Sequence, residues 1–181
     1  MNTPSSASPA AGCLRIPPAL EAAVAERIAR YPQPRGAALM VLHALQDHFG
    51  FLSNEAIEWA AARLGVQPMQ VLELATFYPM FRQEPPGRFH FKICRTLSCA
   101  LAGSLALHAR LCDRLGLDPA SHGPQTTADG RFTVELVECL ASCHTAPVLF
   151  CNQTFCEKAT PEQVDRMIEE CRSAPPEADG S

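Results

Sequence analysis

The sequence has no cluster of basic residues, no long apolar run and no leader pattern at its N-terminus. Lys and Arg number 15 against 19 Asp and Glu, for a net charge of −4, and they are scattered, which disfavours nucleic acid and anionic membranes as partners. No stretch reaches the roughly 18 apolar residues that cross a bilayer. We therefore expect a cytoplasmic protein that does not insert into a membrane and whose partners are other proteins.

Two motifs of nucleotide and thiol chemistry are also absent. No Gly-x-Gly-x-x-Gly follows a predicted strand, so the chain has no recognisable dinucleotide or flavin site. No Cys-x-x-Cys occurs, which argues against a thiol–disulfide enzyme. The chain does contain 9 cysteines, and an odd number in a reducing compartment favours thiols or metal ligands over a disulfide framework.

Four of these cysteines form two short pairs, Cys94-x4-Cys99 and Cys139-x3-Cys143. Each pair is short enough to approach one metal centre from a single loop. A [2Fe–2S] cluster takes four thiolate ligands, and a tetrahedral zinc site accepts the same donors. Residue counting alone therefore leaves iron–sulfur and zinc open.

The first half of the chain has the periodicity of helices. At 47% hydrophobic and 19% charged residues the composition is that of a globular protein. Residues 1–15, rich in Ser, Pro and Ala, are predicted to be a disordered N-terminal tail. Apolar residues then recur at helical spacing in four segments, which predicts a helical bundle over residues 16–82. The predicted helices begin near Pro18, Arg35, Ser53 and Pro68.

The second half has the pattern of a small sheet with flanking helices. Residues 83–88 sustain neither period and are predicted to be a linker, followed by a domain over 89–172 and a disordered tail at 173–181. Strands are predicted at Phe89–Ile93, Phe132–Val137, Val148–Asn152 and Thr154–Glu157, with helices at Ala100–Leu115 and Thr160–Cys171. The fold class is α+β.

The first strand–helix–strand step of this domain implies a right-handed crossover between parallel strands. Ligand sites collect at the carboxyl ends of parallel strands. Cys94 and Cys139 each follow one of these two strands, so we expect them to lie close together despite their separation in sequence. One shared cluster is then credible.

Several strings stand in a fixed order around the cysteine pairs. They are Ala75-Thr76-Phe77-Tyr78-Pro79-Met80-Phe81, Pro86-Gly87-Arg88, Thr127-Ala128-Asp129-Gly130-Arg131-Phe132, and Cys139-Leu140-Ala141-Ser142-Cys143 with Ala146-Pro147-Val148. In this order they resemble the thioredoxin-like [2Fe–2S] subunits of respiratory NADH dehydrogenase (complex I), over residues 18–171. Related subunits serve NAD-linked hydrogenases and formate dehydrogenases, which these motifs separate poorly.

The resemblance implies a four-helix bundle followed by a thioredoxin-like α/β domain. It also implies one [2Fe–2S] cluster held by Cys94, Cys99, Cys139 and Cys143, and an electron-carrying subunit of an NADH:quinone oxidoreductase without a complete active site of its own. The implied partners are a flavoprotein subunit that binds FMN and NADH and other subunits of a peripheral arm on the inner membrane. The alternative from another class is an interaction module with structural zinc.

Some residues near the site carry further expectations. The family usually has Gly at the position of Ala141, so a positive φ there would strain this chain. The Ala146-Pro147 bond is a candidate cis peptide, as in thioredoxin-like folds. A turn at Asn152-Gln153 would make Cys151 and Cys156 diagonal neighbours, for which inert thiols are favoured over a second metal site. We assign no ligand role to Cys13, Cys112, Cys171 and His144.

An aromatic cluster is predicted at the end of the helical half. It consists of Phe77, Tyr78, Met80 and Phe81. Core packing is the usual role of such residues, but part of the cluster is expected to face the partner, since aromatic anchors are typical of interfaces. Replacing Phe81 by Ala is accordingly predicted to weaken partner binding.

Overall fold

The computed structural model describes residues 14–121 and 123–175, which contain seven α-helices and one five-stranded sheet. They divide into two units at the junction of Pro85 and Pro86. The predicted tails at 1–15 and 173–181 fall mostly outside the described residues. The elements are α1 (Pro18–Ala29), α2 (Ala38–Phe49), α3 (Asn54–Leu64), α4 (Pro68–Phe77), β1 (Phe89–Cys94), α5 (Leu97–Leu101), α6 (Ser104–Leu115), β2 (Gln125–Thr126), β3 (Phe132–Val137), β4 (Leu149–Cys151), β5 (Thr154–Cys156) and α7 (Pro161–Ser173).

The N-terminal unit is helical, and its helices end where the capping residues dictate. Gly50 and Gly65 adopt φ values of 80° and 66° after α2 and α3, in the left-handed region that glycine tolerates. The Ser53 hydroxyl accepts a hydrogen bond from the Ala56 N–H at 3.2 Å and so caps α3. The second helix begins later than predicted because a 3-10 turn precedes it. The four helices share one core, which includes Val24, Val41, Leu42, Leu45, Leu52, Ile57 and Val71.

The sheet of the C-terminal unit has the strand order β2-β3-β1-β4-β5. Strands β1 and β3 are parallel, as predicted, and every other neighbouring pair is antiparallel. Strand β2 lies in a segment predicted to be a loop. It has only two residues and owes its form to pairing with β3, so no periodicity of its own could reveal it.

The predicted single helix over residues 100–115 is wrong. The chain forms two helices, α5 and α6, because Gly103 adopts a φ of 99° between them and interrupts the helical hydrogen bonds. This break leaves Cys99 on a short helix of its own, directly after β1.

Helices α6 and α7 cover one face of the sheet and enclose the second core. Its fully buried members include Phe91, Ile93, Leu111, Val134, Leu149 and Ile168. Ion pairs join the outer surfaces of the two helices, among them Arg114 with Glu169 at 2.7 Å. The guanidinium of Arg131 donates to the carbonyl of Cys171 at 2.7 Å, which ties the end of α7 to the start of β3. Packing against α6 and α7 therefore supports β1 and β3 on one face of the sheet. None of the helices in the described part of the chain is long and apolar enough to cross a membrane.

Candidate metal centre

Both cysteine pairs begin at the same edge of the sheet. In the parallel pairing of β1 with β3, Cys94 lies opposite Val137, and Cys139 follows two residues later. The Arg95 N–H donates to the Val137 carbonyl at 2.9 Å, so the pairing continues to the start of the cysteine loops. The register thus leads the two loops out of the sheet side by side.

The first pair is buried. Cys94 and Cys99 each expose 1% of their surface and form a small apolar cluster with Val148, flanked by Leu140 from the second loop. The Cys94 sulfur lies 3.2 Å from the Thr96 hydroxyl, and Cys94 and Cys99 hydrogen-bond to each other. Both sulfurs therefore occupy one pocket between the loops.

Hydrogen bonds give the Cys94 thiol an unusual pKa for a buried cysteine. Burial raises its pKa, but the Thr96 hydroxyl and the N–H groups of Leu140 and Thr96 outweigh that cause and hold the pKa below its ordinary value. A thiolate is the form that binds a metal. The loops therefore make Cys94 easier to deprotonate than an ordinary cysteine.

Cys99 is affected in the opposite direction. Burial is the main cause that raises its pKa, the Val148 N–H opposes it, and the nearby sulfurs of Cys94 and Cys143 add to it. Cys143 of the second pair is thus near enough to the first pair to act on it electrostatically. Neighbouring thiolates repel one another, and a bound metal cation relieves that repulsion.

The second pair is exposed and held by its own backbone. The Ala141 N–H donates to the Cys139 sulfur at 3.3 Å, and Ala141 itself adopts a left-handed backbone with φ 61°. The positive φ is the conformation in which Ala is strained relative to Gly. Cys143 begins a 3-10 turn whose next residue, His144, is exposed, as expected of a solvated loop residue.

Polar contacts anchor the loop between Cys139 and β4. The Thr145 hydroxyl lies 2.7 Å from that of Ser142 and donates to Glu157 at 2.9 Å. The Ala146-Pro147 bond, a candidate cis peptide from the sequence, is cis. This peptide bond precedes Val148. The Val148 N–H donates a hydrogen bond to the Cys99 sulfur, and the Val148 carbonyl accepts one from the Cys94 N–H at 3.2 Å. One short segment therefore contacts both members of the first pair.

The donor set fits an iron–sulfur cluster. Each of three cysteines, Cys94, Cys99 and Cys139, receives a hydrogen bond from a backbone N–H, the contact that tunes such clusters. Within residues 14–121 and 123–175, no three Cys, His, Asp or Glu side chains are grouped so as to hold a single metal ion. A [2Fe–2S] cluster spreads its four protein ligands over two irons, so pairs of sulfurs are the arrangement it uses.

The remaining cysteines lie away from this edge. Cys112 is buried on α6, with its sulfur 3.5 Å from His108 Nε2. The turn at Asn152-Gln153 forms and places Cys151 and Cys156 on adjacent strands. The Cys151 sulfur also lies 3.9 Å from that of Cys171. Sequence spacing could not predict this contact, because Cys171 is 20 residues away on α7 and approaches β4 only when that helix packs on the sheet. Cys13 lies outside the described residues.

Phe81, which was expected to contact the partner, is buried instead. Its side chain is 7% exposed and packs in the N-terminal core, with its ring centroid 4.8 Å from that of His43. Phe77 is 76% exposed and Met80 is also exposed. The cluster therefore contributes Phe81 to the core and offers Phe77 and Met80 to solvent.

Sequence reasoning also missed the donors around the sulfurs. Thr96, two residues after Cys94, carried a usable signal, because a hydroxyl so close in sequence can reach the thiol. The N–H groups of Leu140 and Val148 carried none, since backbone donors have no sequence signature and their direction depends on the loop conformation.

Comparison with known proteins agrees with this arrangement. A family model described as thioredoxin-like [2Fe–2S] ferredoxin matches residues 24–172. The chain is a member of the thioredoxin-like [2Fe–2S] ferredoxin family. Its fold is therefore that of an iron–sulfur electron carrier, and we call the end of the sheet where β1 and β3 lead into the two cysteine pairs the cysteine edge. The cofactor of the chain is a [2Fe–2S] cluster.

Particular relatives carry more specific names. The chain is 40% identical over 146 residues to an NADH-quinone oxidoreductase subunit of Rhizobium meliloti (strain 1021), covering 81% of this chain and 84% of that protein. It is 38% identical to NADH-quinone oxidoreductase subunit 2 of Thermus thermophilus, covering 79% of this chain and 78% of that protein. An NADH-quinone oxidoreductase subunit of Mycobacterium tuberculosis is 35% identical over 88% of this chain, which spans 62% of that longer protein.

One solved structure is similar over most of the chain. A crystal structure of NAD+-reducing [NiFe]-hydrogenase superposes with a TM-score of 0.62 at 26% identity over 74% of this chain. The match covers 23% of the hydrogenase chain, so this chain corresponds to one part of a much larger polypeptide.

Proposed function

We propose that this chain is the [2Fe–2S] electron-transfer subunit of an NADH:quinone oxidoreductase of the complex I type, with Cys94, Cys99, Cys139 and Cys143 as the cluster ligands. The names of relatives that align over most of their own length support the assembly. The observation that carries the ligand assignment is the parallel β1–β3 register, which starts both cysteine loops at one edge of the sheet. The influence of Cys143 on the Cys99 thiol supports it further.

When bound, a [2Fe–2S] cluster takes up and releases one electron at a time, whereas NADH delivers two as a hydride. This chain's residues prepare the site in two ways. The N–H groups of Leu140, Val148 and Ala141 direct partial positive charge at the sulfurs, which stabilises thiolates and tunes the reduction potential. Cys94 and Cys99 are shielded from water, while Cys139 and Cys143 are exposed and leave one side open to a partner.

The proposed partner is the subunit that binds FMN and NADH, together with other subunits of the peripheral arm. Residues 96–109 and 139–156 contain no Asp, Glu, Lys or Arg, so the cysteine loops and the helices beside them carry little formal charge. Leu97 and Leu101, one turn apart on α5, are 75% and 81% exposed, and Leu105, at the start of α6, is 50% exposed. We call these three residues the leucine face. Uncharged apolar surface of this kind is typical of the centre of a protein interface.

A charge on the leucine face is expected to weaken this interaction. Leu101→Glu should reduce co-purification with the flavoprotein subunit by about tenfold or more, because a carboxylate buried in an interface pays for desolvation. The matched control is Ala128→Glu, which adds the same charge on the exposed turn before β3, at the opposite end of that strand. Equal co-purification of both variants and wild type would remove the leucine face from the interface.

The domain organisation and location are part of the same proposal. We propose that residues 16–82 form a four-helix bundle, that 83–88 are the linker, and that 89–172 are the thioredoxin-like domain. The shared core of α1–α4 and the division at Pro85 and Pro86 support these boundaries. In the assembled complex the chain is expected on the cytoplasmic side of the inner membrane, held there by other subunits.

Metal analysis tests the proposal directly. The chain is purified without oxygen, its iron and zinc are measured, and an EPR spectrum is recorded after dithionite reduction. We expect about two irons per chain and a rhombic signal that Cys94→Ser and Cys139→Ser abolish. Cys171→Ser is the control, because Cys171 lies in the last turn of α7 beside Arg131, at the opposite end of β3 from both loops, and this variant should keep the iron.

The competing zinc module gives the opposite result. Stoichiometric zinc without iron or an EPR signal would replace electron transfer by a structural role. Retention of iron in Cys94→Ser and in Cys139→Ser would refute the ligand assignment while leaving the family unaffected.

The hydrogenase similarity favours a second assembly. Because a part of an NAD+-reducing [NiFe]-hydrogenase has the same fold, this chain can be the corresponding subunit of an NAD-linked hydrogenase. Purification of the native complex decides between them: quinone-dependent NADH oxidation supports the first assignment, and hydrogen-dependent NAD+ reduction supports the second.

A further inference from the structure

Two thiols outside the cysteine edge lie in contact. The Cys151 sulfur, at the end of β4, is 3.9 Å from the Cys171 sulfur in the last turn of α7. Disulfide bonding would shorten this separation to about 2.05 Å. One of the two partners sits where a helix ends, and terminal turns adjust more easily than helix interiors.

We propose that Cys151 and Cys171 form an oxidation site at which a low-molecular-weight disulfide, such as oxidised glutathione, converts the two thiols into an intramolecular disulfide. This site shares no residue with the proposed cluster ligands and does not depend on the proposed function.

Other pairings among the described cysteines are less favourable. Cys156 lies on β5, where it pairs with Leu149, whereas the cross-strand partner of Cys151 is Thr154. The sulfur of Cys112 faces His108 on its own helix. Geometry therefore selects Cys171 as the partner of Cys151.

The two thiols differ in accessibility and in charge environment. Cys151 is buried in the core of the sheet, and that burial raises its pKa to about 12, so it remains protonated. Cys171 is half-buried, and the guanidinium of Arg131 donates to its carbonyl at 2.7 Å. Burial raises the pKa of Cys171 as well, and the charge of Glu170 adds to that rise, but the hydrogen bond with Cys151 and the charges of Arg131 and Arg88 act against it. Cys171 is accordingly the attacking thiol, and Cys151 is the resolving one.

The reaction proceeds by two exchanges. The Cys171 thiolate attacks one sulfur of oxidised glutathione, the glutathione S–S bond breaks, and one glutathione thiolate leaves and takes up the proton that Cys171 lost. Cys151 then attacks the Cys171 sulfur, its proton leaves with the second glutathione, and the Cys151–Cys171 bond forms. Two protein thiols are oxidised and one glutathione disulfide is reduced to two thiols.

The product would link the last turn of α7 to β4. The carbonyls there are already bound by Arg131, which donates to Cys171 and, at 2.6 Å, to Arg172. A covalent link across the segment between positions 151 and 171 restricts the unfolded chain. Oxidation should therefore raise the melting temperature of the C-terminal unit by roughly 5 °C or more.

The test uses the full chain with its metal bound, kept free of oxygen and exposed to oxidised glutathione. Free thiols are then alkylated, and peptides are analysed by mass spectrometry without reduction. We expect a peptide pair linked through Cys151 and Cys171, unchanged visible absorbance, and a higher melting temperature than in the reduced protein. Cys112→Ser and Cys156→Ser, as controls, should form the same link.

The two single variants separate the steps. Cys151→Ser should stop at a stable glutathione adduct on Cys171, and Cys171→Ser should leave Cys151 unmodified. A wild-type chain that carries glutathione on Cys171 without the link would overturn the proposal. So would a link from Cys151 to Cys156, a lack of any reaction at Cys171, or disulfides among the cluster cysteines alone.

Discussion

Cys94 at the sheet edge and Cys112 in the core are equally buried, with 1% and 0% of their surfaces exposed. Their surroundings differ in hydrogen-bond donors. Cys94 receives bonds from Thr96 and from the Leu140 N–H, and its pKa is lowered. Cys112 lies among apolar residues beside His108, and burial together with Asp118 raises its pKa. Hydrogen-bond donors, led by the Thr96 hydroxyl, and not the degree of burial, thus account for the opposite pKa shifts of these two thiols.

The largest contrast between edge and core is expected from paired cysteine substitutions. Cys99→Ala should abolish iron binding, because it removes one of four ligands, whereas Cys112→Ala should retain about two irons per chain. Both residues are buried, so the two variants lose similar packing. The measurement is the iron content of anaerobically purified protein. Equal iron in both variants would contradict a ligand role for Cys99.

A buried and an exposed leucine on helices of the C-terminal unit should differ in how much they stabilise the fold. Leu111 is fully buried on α6, so Leu111→Ala should lower the free energy of unfolding by about 2–5 kcal/mol. Leu101 is 81% exposed, and Leu101→Ala should change it by no more than about 0.5 kcal/mol. Urea denaturation compares the two. A large loss in Leu101→Ala would mean that the leucine face packs inside this chain.

Backbone strain at Ala141 predicts a smaller change in the free energy of unfolding, and this change is an increase. Ala141 has φ 61°, so Ala141→Gly should raise the free energy of unfolding by about 0.5–1 kcal/mol. Ala106→Gly, at an exposed position inside α6, is the control and should lower it by a similar amount. Denaturation midpoints of the two variants should therefore move in opposite directions, and a shared direction would argue against strain at Ala141.

The smallest effect concerns His108 in the core. Burial lowers the pKa of this imidazole, so the unfolded chain, with an ordinary pKa near about 6.5, binds a proton more readily than the folded one. Stability should consequently fall as pH drops below about 6.5, and His108→Leu should flatten that fall. Melting temperatures between pH 7.5 and 5.5 provide the measurement. The exposed His144→Leu serves as the control, and an equal flattening there would exclude His108 as the source.

Prediction from sequence succeeded where one residue fixes a local conformation. A helix begins at Pro68 as predicted, and β3 has its predicted bounds, Phe132–Val137. It failed at Gly103, where apolar periodicity on both sides concealed a break. It also failed for β2, which is too short to have a pattern and exists because β3 lies beside it.

The sequence by itself determined the two halves of the chain, the four cysteines in two pairs and the family to which they belong, because spacing and periodicity are properties of the chain alone. The tertiary structure decided which groups surround each sulfur. The donors to Cys94 and Cys99 come from Leu140 and Val148, and the neighbour of Cys151 is Cys171. Such contacts join residues far apart in sequence, and only the packing of loops and helices against the sheet sets their distances.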